Sequence, residues 1–98
     1  MEHNAKLNSD EIDELFSAIL LLETQDDCSR FFEDICTISE LKAIAQRFCV
    51  ARMLDKKITY QEISQKTGAS TATISRVNRC LQYGAGGYRL VLDRMKDE

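Results

Sequence analysis

Proline is missing from all 98 residues, and histidine occurs once, as His3. The first absence removes the strongest helix breaker, and with 44% hydrophobic and 30% charged residues it favours a soluble, nearly all-helical domain over a sheet, a disordered segment or a membrane span. The second leaves no imidazole beyond His3 for acid–base work. With no phosphate loop and no Cys-x-x-Cys spacing either, the expectation is a protein without enzymatic activity, metal or cofactor. Long apolar runs are lacking too. The longest, from Ala18 to Leu22, is far too short to cross a bilayer, and Met1-Glu2-His3-Asn4 is unlike a signal peptide, so a cytoplasmic protein with no membrane partner is expected. There is no internal repeat and no low-complexity segment.

Cysteine is present but poorly spaced for chemistry. Cys28, Cys36, Cys49 and Cys80 lie 8, 13 and 31 positions apart, which suits neither a zinc cluster nor a disulfide framework. Reduced, mostly buried thiols acting as small apolar side chains are expected. The length suits a single domain over residues 1–98, small enough for self-association to add useful stability.

The net charge of −3 conceals a division. Residues 1–40 carry eleven Asp or Glu against Lys6 and Arg30, a balance of −9, whereas residues 41–98 carry eleven Lys or Arg against five acids, a balance of +6. An acidic half turned away from DNA, or packed on a partner, leaves a basic half free to meet phosphates; the alternative is that both halves are solvated helix faces.

Periodicity and caps predict six helices. Asn8 caps the first, with Glu11 at its third position and Ile12, Leu15, Phe16, Ile19 and Leu22 at helical spacing. The second begins within Thr24 to Asp27, carries Phe31, Phe32 and Ile35, and ends near Cys36. A capping box, Thr37-x-x-Glu40, opens the third, which runs to about Asp55 with Leu41, Ile44, Ala45, Phe48, Val50 or Cys49, and Leu54 inward. A second box, Thr59-x-x-Glu62, starts the fourth after the turn Asp55-Lys56-Lys57-Ile58. The fifth begins at Ser70 or Thr71 and stops before Gly84-Ala85-Gly86-Gly87, a helix stop and hinge. The last follows from Tyr88, with Leu90, Val91 and Met95 as its apolar contacts.

The fourth and fifth helices, within residues 60–82, form a helix-turn-helix. Ile63 and the small Ser64 allow close packing, Gly68 reverses the chain at positive φ, and Ile74, Val77 and Leu81 share one stripe of the second helix. The opposite face carries Thr71, Ala72, Ser75, Arg76 and Arg79, hydroxylated, small or cationic groups that suit a groove of base edges and phosphates. Ser70 and Thr73 flank that face. Arg76 is read first as a phosphate contact, then as a ligand contact, then as a surface ion pair. Arg79 is read as a phosphate anchor, and Lys56, Lys57 and Lys66 as backbone contacts or solvated charges.

The run Gly68-Ala69-Ser70-Thr71-Ala72-Thr73-Ile74-Ser75-Arg76, preceded by Gln61-Glu62-Ile63, resembles the reading segment of the tryptophan repressor family. From about Leu15 to Met95 the chain is similar to the small TrpR-like proteins of the YerC/YecD type. The resemblance implies an all-α fold of six helices, an intertwined homodimer, and double-stranded DNA as partner. It places Thr71, Ala72 and Ser75 at bases, and Gln61 and Ser64 near the DNA backbone. It also implies an effector pocket, in which Arg47 and Arg76 match the arginines that sandwich an indole and Thr37 lies close by. Val77 stands where tryptophan-responsive members have glycine, and Cys80 where they have a serine. A branched side chain takes up space that an indole needs, and losing a hydroxyl removes a partner for an ammonium, which argues against tryptophan as the small-molecule effector. The expected function is a sequence-specific transcription regulator, a repressor in the first instance; the alternative is a helical protein–protein interaction module that does not bind DNA.

Overall fold

A computed structural model describes residues 9–96. Six helices make up 80% of the structure, with no strand among the described residues: α1 (Asp10–Ile19), α2 (Gln25–Ile35), α3 (Ile38–Asp55), α4 (Tyr60–Thr67), α5 (Thr71–Tyr83) and α6 (Gly87–Lys96). No helix among the described residues is long and apolar enough to cross a membrane. The helices fall into two compact units, one ending at Ile38 and the other beginning at Ser39.

In the first unit, the Ser9 hydroxyl caps α1 by accepting the Ile12 amide at 3.2 Å. Asn8, the cap expected from the sequence, lies outside the described residues. The helix ends at Ile19, and the Leu21 and Leu22 amides then bond three residues back, to Ala18 and Ile19, in a tight turn. A capping box that sequence reading missed opens α2: Thr24 accepts the Asp27 amide at 3.0 Å while the Asp27 carboxylate accepts the Glu23 amide at 3.0 Å. Asp26 and Asp27 also sit where the helix dipole favours anions. The Phe31 and Phe32 rings meet edge to face at 5.5 Å. Neither helix buries a residue, and Phe16, Leu20, Leu21 and Ile35 stay exposed.

The second unit holds the core: Val50 and Ala51 from α3, Ile63 from α4, Ala69 from the following turn, Ile74 and Val77 from α5, and Leu92 from α6. Phe48, Met53, Leu54, Ile58, Tyr60, Leu81 and Tyr88 pack around it. Two expectations are corrected. On α3, Val50 turns inward and Cys49 outward; Ala45, Cys49 and Arg52 share one exposed stripe at i, i+4 and i+7, and Ile44 is exposed as well. On α6 the inward pair is Tyr88 and Leu92, one turn apart, whereas Leu90, Val91 and Met95 remain exposed. The helix starts at Gly87, and residues one turn apart share a face, so once Leu92 is buried Leu90 must point away.

The α3–α4 turn is a Schellman closure, with the Ile58 amide bonded to the Met53 carbonyl at 3.1 Å and the Lys57 amide to Leu54 at 2.9 Å. Lys57 occupies the left-handed position at φ 65°, where glycine is usual. Lys57→Gly is therefore expected to stabilise the fold by about 0.5–1 kcal/mol, while Lys57→Ala is near neutral. Urea unfolding of the two variants checks this, and equal midpoints would remove the strain argument.

Asp55, its side chain 13% exposed, ties the end of α3 to α6: its carboxylate accepts from Arg89 Nη2 at 2.8 Å and lies 3.1 Å from Lys96 Nζ. The hydrogen bond from Arg89, then that from Lys96, holds the carboxyl below its ordinary range against a smaller opposing effect of burial. A depressed folded-state pKa contributes stability that is complete above the unfolded value of about 3.9 and is lost as pH falls through the folded value. The stability gap between the native chain and Asp55→Asn is thus expected to be flat from pH 7 to about 5 and to close below about 3.9. Denaturant titrations across that range test it; a gap that survives to low pH means the ion pairs do not act.

Candidate nucleic-acid interface

Three local devices orient α5. Thr59 caps α4 by accepting the Glu62 amide at 3.2 Å, as the capping-box reading expects. Gly68 then turns the chain at φ 76°, its amide bonded to the Ser64 carbonyl at 2.9 Å. Ser70 caps α5, accepting the Thr73 amide at 3.1 Å and donating its hydroxyl to Thr73 Oγ1 at 3.1 Å. Between these caps the turn is closed by side chains. Ser64 donates to the Ala69 carbonyl at 2.8 Å, and Thr67 donates to Ile63 at 2.8 Å while accepting from the Ala69 amide at 3.1 Å. Gln46 Nε2 reaches from α3 to the Thr67 carbonyl at 3.1 Å.

These devices give α5 two faces. Ile74 and Val77 are buried and Leu81 packs on the core, whereas Thr71, Ala72, Ser75, Arg76 and Arg79 are exposed. At about 100° per residue the exposed five fit one broad arc opposite the buried three. Arg76 and Arg79 make no ion pair among the described residues, so neither charge is neutralised locally. Of the other expected contacts, Gln61 is exposed on α4 and Lys66 is exposed but paired with Glu62 at 3.1 Å. Ser64 and Thr73 are half-buried and, with Ser70, are engaged in shaping the turn.

The expected effector residues are dispersed in character. Val77 is part of the core, Arg47 and Arg76 are exposed, and Thr37 is exposed in the first unit. Cys80 lines an open apolar cavity of about 550 Å³ with Phe48, Tyr88, Val91 and the glycine-rich turn. That turn has a definite conformation: Gly86 takes φ 85°, and a Cβ at Gly84 would collide with the Cys80 carbonyl oxygen. The cysteines are free, but the expectation of burial is corrected: Cys28, Cys49 and Cys80 are exposed and Cys36 is half-buried. Cys49 and Cys80 each stand beside the residue that turns inward, Val50 and Leu81, a choice that hydrophobicity alone does not make.

Over residues 10–96 the chain matches the family described as Trp repressor protein. It belongs to that family. This Trp repressor family chain is 54% identical over 92 residues to the uncharacterised protein YerC of Bacillus subtilis, covering 94% of this chain and 88% of YerC. A TrpR-like protein from Eubacterium eligens superimposes with a TM-score of 0.92 at 53% identity, covering 95% of this chain and 96% of the other. A Staphylococcus aureus protein put forward as a Trp repressor gives 0.91 at 48% identity, over 100% and 98% of the two chains. The Trp repressor family in general comprises DNA-binding regulators that are dimers. Sequence reading found the arc on α5 and missed Gln46, because no local pattern marks a donor whose acceptor lies 21 positions away.

Proposed function

We propose that the chain, as a single domain over residues 1–98, is a sequence-specific transcription regulator, most simply a repressor, that binds double-stranded DNA as a homodimer. The observation that carries this reading is the exposed arc of α5, hydroxylated and cationic, on a helix whose opposite side is anchored in the core. Thr71, Ala72 and Ser75, near the start of the helix, read base edges in the major groove. Arg76, Arg79, Gln61 and Lys66 hold the flanking phosphates, and Ser64, Ser70 and Thr73 set the approach. The excess of positive charge in residues 41–98 supports this docking, because phosphate contacts supply most of the sequence-independent affinity. Tryptophan is not the effector in this reading: Val77 is a packed, branched side chain, and Cys80 offers a weak donor where an ammonium needs an acceptor. Any small-molecule control acts through other chemistry around Arg47, Arg76 and Cys80.

Selection of bound duplexes from a random pool, with and without added amino acids and metabolites, tests the proposal. A palindrome with half-sites about one helical turn apart, ~34 Å, is expected. A lone half-site would point to a monomer. Absence of any DNA retention at low salt would overturn the reading in favour of a protein–protein interaction module.

A further inference from the structure

Gln46 lies outside the helix-turn-helix yet closes it. Thr67 is the last residue of α4, so its carbonyl has no partner within the helix, and it receives Gln46 Nε2 at 3.1 Å. Ser64 and Thr67 satisfy the neighbouring groups from within the motif, and Gln46 reaches this turn from α3. α3 supplies the core residues Val50 and Ala51, so the bond ties the turn to the most buried part of the unit. Three residues beyond Thr67, Ser70 caps α5, and the direction in which α5 leaves the turn depends on where the turn is held.

We propose that Gln46 is a positioning residue for sequence discrimination: by pinning the end of α4 to α3 it fixes the angle at which α5 presents Thr71, Ala72 and Ser75 to base edges. This rests on the DNA-binding reading given above. The two kinds of DNA contact respond differently to a small tilt. Hydrogen bonds to base edges weaken steeply with distance and angle, whereas attraction between Arg76 or Arg79 and phosphates decays over a screening length of roughly 8–10 Å. A tilt of α5 therefore costs discrimination before it costs general affinity.

The test compares affinity for the selected site with affinity for a scrambled duplex, across a salt series, in the full chain. Gln46→Met keeps the shape and removes the donor, and is expected to lower the ratio of the two affinities about tenfold, the usual size of one lost hydrogen bond, with the scrambled-duplex affinity and salt slope unchanged. Gln46→Glu has no donor at neutral pH and must behave alike, giving the same measurement if the Met variant does not fold. Gln46→Lys keeps a donor and must recover most of the ratio. An unchanged ratio in the Met and Glu variants overturns the inference and leaves DNA binding standing. A proportional loss of both affinities, or a Lys variant no better than Met, also overturns it by making Gln46 merely structural. A native chain that binds no duplex at low salt removes the DNA-binding reading itself, and one that binds without discriminating removes its sequence specificity; either result takes the inference with it.

Discussion

Alanine at both Arg76 and Arg79 is expected to weaken binding to every duplex, whatever its sequence, by roughly 10–100-fold for each docked subunit near 0.1 M salt. Each phosphate neutralised by a side chain releases condensed counterions and contributes about 0.9 to the slope of log affinity on log salt, so the double variant, which lacks two such contacts in each subunit of the dimer, should lose about 3.6 from that slope. Both guanidinium groups are exposed and without an ion pair among the described residues, so no internal salt bridge is lost and the fold should be unaffected. Discrimination between sequences should change little, since the base contacts are assigned to Thr71, Ala72 and Ser75. Anisotropy titrations at several salt concentrations give both quantities. A slope that stays at the native value would mean that α5 does not meet phosphates with these residues.

Truncation of Ile74 to alanine is expected to have the largest effect on stability, about 2–5 kcal/mol, while Ser75→Ala next to it stays within about 0.5 kcal/mol. Ile74 is 0% exposed, in a core shared by α3, α4, α5 and α6, so the lost side chain leaves a cavity that several helices must collapse to fill. At about 4–8 °C per kcal/mol for a domain of this size, the difference between two adjacent positions is easily read by thermal unfolding. Equal effects at the two positions would show that the helix is not anchored as described. The pair is also a direct check on which way α5 faces, independent of any DNA measurement.

The contrast between these predictions and the corrected expectations shows where sequence is informative. The cap at Thr59 is legible because a cap is a bond between residues three apart, and the two faces of α5 are legible because Ile74, Val77 and Leu81 recur at helical spacing. The left-handed Lys57 was not, since the sequence places no glycine there, and a Schellman closure held by Met53 and Leu54 forces the conformation on whatever residue arrives. The choice of Leu92 over Leu90, and of Val50 over Cys49, turned on which side of an apolar helix its neighbours occupy.

By itself, then, the sequence determined the helices, the family and the outward arc of α5, because each follows from interactions that span a few residues or from a pattern repeated along the chain. Only the tertiary structure decided what holds that helix in place. The Asp55 clamp to Arg89 joins residues 34 positions apart, and the Gln46 bond to Thr67 joins residues 21 apart. Contacts of that range depend on how separate helices pack, and no periodicity within any one helix encodes them.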